Sequence, residues 1–348
     1  MSQIQEASSL GVGMSTEAAG ANSKGELHLA GSQLVLGGAK QSGETSISGL
    51  LLLDKPAGIT SFAAAARVRR LLRVDKVGHC GTLDPFATGL LLICINQATR
   101  AADQLLVQEK TYRCRLHLGV ETDTLDHTGT VTNVYQGDPC REDDLREVLA
   151  FFRGRHEQSV PRYSAVHVQG RRLHQLTRQG VDVPLPRREV EIYRLDLMEY
   201  DWPEAILEVH CSKGTYIRQL AADIGQRLQC GAHLNQLRRL ASGRFHLDRA
   251  ISLEHLEAAK DPVQWLAEVI PLYAALEHLP AIVVNDQEVL ECLRHGQLHV
   301  GWETAQRMQF GPHGTYPVRL ANSNQKLLAL WWPFSGAGER RLRVFSSK

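Results

Sequence analysis

The chain has 348 residues, 43% of them hydrophobic, with 39 basic and 38 acidic side chains and a formal net charge of +1. That composition suits a globular protein of one large and one small domain, and no apolar run reaches the roughly 18 residues of a membrane-spanning helix. The seven cysteines are scattered without a Cys-x-x-Cys pair, which argues against a zinc site or a disulfide framework and for a reducing cytoplasm.

The first 46 residues contain no Phe, Trp or Tyr and are rich in Gly, Ser and Ala, the composition of a disordered extension. They lack the basic start and apolar core of a signal peptide. Leu50–Leu53 reads as a short apolar strand that ends in the turn Asp54-Lys55-Pro56-Ala57-Gly58. Thr60-Ser61 offers a helix N-cap to the alanine-rich stretch Phe62–Arg73. The string from Gly78 to Leu91 sets one acidic side chain, Asp84, in a glycine-punctuated turn, directly before the apolar run Leu90–Ile95. Such a run reads as a strand buried on both faces. A carboxylate beside it is costly unless a cation or hydrogen bonds support it.

From Thr111 to Leu118 the residues alternate, with Tyr112, Cys114, Leu116 and Leu118 on one face and Arg113, Arg115 and His117 on the other. That pattern predicts a half-buried strand. Leu145–Phe152 reads as a helix entered through three acidic residues. Leu207, Val209 and Cys211 mark another strand, broken by Ser212-Lys213-Gly214. A helix follows, with Ile217, Leu220, Ala221, Ile224 and Leu228 on its inner face. Pro271–Pro280 is expected to be a linker, and Ile282–Val284, Leu327–Trp332 and Leu342–Phe345 strands of a small β domain. Strands and helices follow in mixed order rather than strict βαβ alternation, which favours an α+β protein.

The near-neutral total hides an uneven distribution. Residues 151–190 hold eight arginines against three acidic residues, and 211–250 hold seven basic residues against two acidic ones. Residues 251–300 hold two basic and eight acidic ones. Basic segments beside an acidic one suggest a surface for a polyanion on part of the molecule.

Three segments carry a family resemblance: Leu52–Ser61, Gly78–Leu91 continuing to Ala98-Thr99-Arg100, and His210–Arg218. With Lys110-Thr111-Tyr112, Gly119–Gly129 and Leu237-Arg238-Arg239-Leu240, they resemble the TruB family of tRNA pseudouridine synthases, in the bacterial form, over residues 48–250. The resemblance implies the pseudouridine synthase fold, with a mixed, mostly antiparallel sheet flanked by helices. It implies a domain at 47–275 carrying an RNA-clamping arm at 153–188, and a PUA-like β domain at 280–348. It implies isomerisation of uridine 55 in the T loop of tRNA, with the base flipped out of its stack. No cofactor, metal or protein partner is required, and the expected state is a cytoplasmic monomer whose partner is the tRNA T arm.

Asp84 matches the catalytic aspartate, acting as nucleophile or base. Arg218 matches its partner, Tyr112 the tyrosine stacked on the target base, Tyr216 a further pocket residue and His79 the residue that fills the place the base leaves. Lys55 is read as a support of the loop, outside the catalytic set. Arg171, Arg172, Lys213, Arg238 and Arg239 are candidate RNA contacts. Arg218 stands near a helix start, where the dipole disfavours a cation, so a partner anion is expected there. The chain departs from the family at Cys80, at Asn96-Gln97, where a glycine-containing pair is usual, and at His167 and His174. A second reading is a tRNA-binding or tRNA-folding protein whose isomerase activity is secondary or lost. Such a binder has no need of Asp84, Tyr112 and Arg218 together.

Overall fold

A computed structural model of the chain describes residues 47–164, 166–168, 170–181, 183–310, 316–333 and 342–345. The extension expected at 1–46 lies outside these residues. Among the described residues up to 242 the strands are β1 (Gly49–Lys55), β2 (Val77–Cys80), β3 (Thr88–Ile95), β4 (Lys110–Leu118), β5 (Val120–Thr122), β6 (Val131–Val134), β7 (Gly154–Ser159), β8 (His167–Val168), β9 (Arg171–Arg172), β10 (Arg187–Asp201), β11 (Glu204–Cys211) and β12 (Ala232–Ser242). The helices among them are α1 (Ser61–Leu72), α2 (Ala102–Leu106), α3 (Glu142–Phe151), α4 (Leu173–Arg178) and α5 (Ile217–Arg227).

A mixed sheet runs in the order Ile251–Ser252, β1, β3, β12, β4, β11, β10, β7, with antiparallel pairing except between β1 and Ile251–Ser252 and between β3 and β12. Its two halves are buried differently. In β1 and β3 alternate residues enter two separate cores: Leu50, Leu52, Leu90 and Leu92 on one face, Leu51, Leu53, Leu91 and Ile93 on the other. This is why both strands read as continuous apolar runs. In β4 and β11 one face packs Tyr112, Cys114, Leu116, Leu207 and Val209 against α3 and α5. The opposite face carries ion pairs such as Arg113–Glu208, 3.3 Å. Alternation in the sequence is the signature of that one-sided burial.

Local chemistry sets the element ends as expected. Thr60 caps α1 by accepting from the Ala63 N–H at 3.0 Å, and Arg73 closes the helix in the left-handed region at φ 52°. Asn96 also takes a left-handed φ, 51°, a conformation that asparagine tolerates better than most residues.

A second, four-stranded sheet runs Ala281–Val283, Val318–Ala321, Leu327–Trp331, Leu342–Val344. The strand at Val318–Ala321 had no counterpart in the sequence reading. The linker expected at 271–280 is instead packed: Ile270–Pro271 pairs with β1, and Leu272, Ala275, Leu276 and Leu279 are buried with Leu50, Leu52, Leu327 and Phe345. Their apolar spacing outweighs the bracketing prolines.

On the edge of β3 away from β1, Thr88 and Gly89 pair with Arg238 and Arg239 of β12, whereas Leu92 to Ile95 pair with β2. Between the two partners the edge is open. The loop 81–87 leaves the end of β2 at this opening and returns as β3.

Candidate active site

Asp84 sits in the loop 81–87, which buries Leu83 and Ala87 in the sheet core and is held by polar groups from other elements. Lys55 Nζ donates to the carbonyls of Pro56 and Ile59, each at 2.8 Å, and to that of Pro85 at 3.3 Å. The Gly58 N–H also donates to Pro85 O, at 2.8 Å. The Ser61 hydroxyl accepts from the Leu83 N–H at 2.8 Å and donates to the Leu83 carbonyl at 3.1 Å. The Asp-Lys-Pro turn and the start of α1 are therefore a cradle for the aspartate loop. Lys55 is fully buried, and burial brings its ammonium down to about 8, opposed by Asp84 and assisted by Arg239.

Arg218, in the first turn of α5, grips the carboxylate with two donors, Nε to Oδ2 at 2.9 Å and Nη2 to Oδ1 at 3.2 Å. Its remaining donors reach the carbonyls of Thr124 and Tyr163, both at 2.9 Å. Asp126 Oδ2 lies 3.4 Å from Nη1. The anion expected near this helix start is thus present twice. Asp126 is itself fixed by its neighbours, since Oδ1 accepts from the Thr124 hydroxyl and from both the N–H and hydroxyl of Thr128. Sequence reasoning passed over Asp126. The available signal was its position between two threonines, a pattern that ties an acidic side chain to its own turn.

The Arg218 side chain is 5% exposed, whereas Asp84 keeps 33% of its side-chain surface open, so the carboxylate is desolvated yet reachable. Burial raises its pKa above the ordinary aspartate value; Arg218 opposes the rise, Asp126 adds to it and Lys55 opposes it. The fork geometry keeps both oxygens aligned, which a lysine could not do.

Tyr112 on β4 is buried in the core that holds Leu83 and Ala87 of the loop. Burial pushes its phenol up, and the Arg239 guanidinium beside it pulls it down. His79 on β2 is half-buried; burial lowers its pKa, with Arg239 adding to the effect. Tyr216 caps α5 through its backbone, which exchanges hydrogen bonds with the Gln158 amide (2.8 and 3.1 Å), while its ring packs under Arg188 and against Val160, Leu173, Leu176 and Val183. Lys213 lies exposed in the turn before α5. Arg238 pairs with Asp54, Nη2 to Oδ2 at 2.7 Å, and stays partly exposed. Arg171 is exposed on β9, where it donates to the Gln179 side chain, and Arg172 follows it on the same strand.

Two expectations need correction. Arg239, expected at the RNA, is 1% exposed and spends its donors on Leu90 O (Nε, 2.7 Å) and Gly81 O (Nη2, 3.0 Å), so no RNA can reach it. The arm expected at 153–188 begins and ends in the sheet, since β7 and β10 pair from Gly154↔Ile192 to Ser159↔Arg187. The excursion is 160–186. Arg153, Arg155 and Arg187 face Asp196, Glu191 and Glu157 at 3.3–3.6 Å, which neutralises part of the segment's charge.

Beside the loop opens a cleft of about 740 Å³, lined among others by Pro85, Phe86, His127, Gln236, Arg113 and Arg238. Phe86 and His127 meet edge to face at 5.1 Å. The cleft offers rings for stacking and cations for phosphates; it reaches the loop at Pro85 and Phe86, the residues after Asp84, and Asp84 itself is not among its lining residues.

Residues 69–217 match the TruB family pseudouridylate synthase N-terminal domain, and residues 218–277 match the tRNA pseudouridylate synthase B C-terminal domain. The chain is 53% identical over 303 residues to tRNA pseudouridine synthase B of Syntrophobacter fumaroxidans, covering 87% of this chain and 99% of that one. It belongs to the TruB family of pseudouridylate synthases. A second relative, tRNA pseudouridine synthase B of Bordetella avium, is 46% identical, with 70% of this chain and 99% of that one covered. Among solved structures, a chain of a Cbf5-Nop10-Gar1 complex superposes with a TM-score of 0.62 at 26% identity, covering 86% of this chain and 84% of that one. The two matched TruB domains meet between Ile217 and Arg218, so the Asp84–Arg218 contact joins one to the other.

Proposed function

We propose that this synthase isomerises uridine to pseudouridine at position 55 in the T loop of tRNA, with Asp84 as the catalytic carboxylate. One observation carries the assignment: a desolvated carboxylate, held at both oxygens by the buried Arg218, still keeps a third of its side-chain surface open. Asp84 acts ionised, as nucleophile at the sugar or as base. The bond from C1′ of the ribose to N1 of the base breaks and a bond from C1′ to C5 forms. The proton leaves C5 and N1 gains one, so atoms and electrons balance without an oxidant or reductant. Tyr112 stacks on the displaced base and presents its hydroxyl to it. Tyr216 completes the pocket, and His79 fills the place in the RNA stack that the base leaves. The relatives are named for tRNA, which supports tRNA as the substrate class here.

The arm 160–186 and the exposed turn at Lys213 bind the RNA backbone. The small C-terminal sheet forms a PUA-like unit at 280–348 beside the catalytic domain at 47–275. The reading includes a cytoplasmic monomer that needs no cofactor. The alternative, a tRNA binder without activity, gives no reason to hold a carboxylate where burial opposes its charge. A tritium-release or mass-spectrometric assay on an unmodified T-arm stem–loop tests the proposal, with turnover expected from the wild type. Tight binding without turnover would favour the alternative.

A further inference from the structure

Arg239 is the feature that the reaction leaves unexplained. It is a guanidinium with 1% exposure that makes no ion pair with any described residue. A buried cation without a carboxylate is expensive, and such a residue is better replaced by an apolar one unless its donors are needed. Its donors fall at one place in the fold. Nε reaches Leu90 O, on the stretch of β3 where pairing passes from β12 to β2, and Nη2 reaches Gly81 O, the first residue of the loop that carries Asp84. The guanidinium therefore plugs the opening in the sheet edge.

Two glycines of the loop motif are shaped around it. A Cβ on Gly89 would meet the Arg239 backbone oxygen at 2.4 Å and nitrogen at 2.7 Å. A Cβ on Gly81 would lie 3.3 Å from Nη1. Gly81 and Gly89 also have positive φ, 81° and 100° respectively. Across β12 and β4, Arg239 stands directly opposite Tyr112, so the two side chains share a face of the sheet.

We propose that Arg239 is a positioning residue for the isomerisation: by closing the gap between β2 and β12 it ties the Asp84 loop to β3, and by lying beside the Tyr112 phenol it fixes the spacing between tyrosine and carboxylate. The inference rests on the role given above to Tyr112. The charged and titratable groups around this point are Lys55 from the Asp-Lys-Pro turn, His79 on β2, Lys110 on β4, Cys211 on β11 and Asp84 in the loop.

The test is a double-mutant cycle on an unmodified T-arm stem–loop, with single-turnover rates and dissociation constants measured for the wild type, Arg239→Met, Tyr112→Phe and the double variant. Arg239→Met is expected to slow the chemical step by about 100-fold, the loss typical of a misplacement near 1 Å, while binding changes by less than about threefold. In the Tyr112→Phe background the same change should cost markedly less, because residues acting as one unit are non-additive. Arg239→Lys keeps the charge but not the fork. It should recover part of the rate, and it replaces the Met variant in the cycle if that one fails to fold. A silent Tyr112→Phe would sink the tyrosine's role itself. A slow Tyr112→Phe with an equal Arg239 cost in both backgrounds, or an unchanged rate in Arg239→Met, would overturn the positioning role.

Discussion

The loop 81–87 and the arm 160–186 are both excursions from the same sheet, yet they are stabilised in opposite ways. The loop sends Leu83 and Ala87 into the sheet core, while its backbone and its carboxylate are fixed by Lys55, Ser61, Arg218 and Arg239, four buried polar side chains from other elements. Hydrogen bonds involving charged groups are worth about 1.5–3 kcal/mol each, and they fix direction as well as distance. The arm has a small core of its own, Val160, Leu173, Leu176 and Val183, with its base closed by the Val160 N–H donating to Pro186 O at 2.9 Å. Apolar contacts of that kind hold a segment in place without dictating orientation. Arg218 is bonded to both regions, to Asp84 of the loop and to the Tyr163 carbonyl of the arm. On the proposed function, the chemistry sits where geometry is over-determined and the RNA contacts of the arm where it is adjustable.

Asp84→Asn breaks the rigid side at its reactive atom and should have the largest effect. The amide keeps the shape but cannot be an anionic nucleophile or base, so turnover should vanish while stem–loop binding stays within a few fold. Turnover by a preparation free of deamidated residue 84 would refute the assignment. The same variant reads the cost of the buried charge. The folded-state pKa of Asp84 is raised, so the stability tied to its protonated form is complete below its unfolded value of 3.8 and is lost as pH rises through the folded value. The melting temperature of Asp84→Asn relative to wild type should therefore climb from pH 4 to pH 7. The acid limb of the wild-type rate profile should also lie above 3.8. A flat difference and a limb at the ordinary value would remove the desolvation argument.

Arg218→Met removes the cation shared by Asp84 and Asp126, leaving the two carboxylates without their common partner. Breaking a buried pair costs about 3–5 kcal/mol, and activity should fall with it. Because Arg218 also holds Tyr163 O, the arm should become more accessible to protease in this variant. An unchanged digestion pattern with lost activity would confine Arg218 to the loop.

How much of this was legible in the sequence follows from how local each signal is. The Thr60 cap, the apolar run of β3 and the alternation of β4 and β11 depend on neighbouring residues, and all were readable. The pairing of Asp84 with Arg218 came from family motifs and from the misfit of a cation near a helix start. The roles of Asp126 at Arg218 and of Ser61 at Leu83 are not legible, because each depends on a partner far along the chain, although the local threonine turn around Asp126 is. Arg239 was misplaced for a related reason: within a basic run an arginine reads as surface, and only the opening between β2 and β12 makes this one internal. The prolines at 271 and 280 read as linker punctuation, whereas the spacing of Leu272, Leu276 and Leu279 is what decides that this stretch packs.

Ser61→Ala perturbs the loop more gently. One hydroxyl serves both the N–H and the carbonyl of Leu83, so its loss should cost about 1–3 kcal/mol for the unsatisfied groups. The chemical step should slow while binding is retained, since the loop shifts but the basic surface does not. Thermal melts and single-turnover rates measured side by side check this. A loss of binding instead of rate would mean that the loop contributes to RNA affinity rather than to geometry.

The smallest effect should come from the adjustable side. Arg171 is exposed at the tip of the arm's β8–β9 hairpin, and its only described side-chain partner is Gln179. If it meets an RNA phosphate, Arg171→Ala releases one counterion contact, and the slope of log affinity against log salt should flatten by about 0.7–0.9. Affinity should drop only a few fold at moderate salt. The rate at saturating RNA should stay unchanged, because nothing that holds Asp84 involves this hairpin. Dissociation constants across a salt series, with single-turnover rates beside them, separate the two terms. An unaltered slope would place residue 171 off the RNA path. A slowed chemical step with unaltered slope would mean that the arm, too, belongs to the rigid part of the site, and the contrast between the two regions would fail.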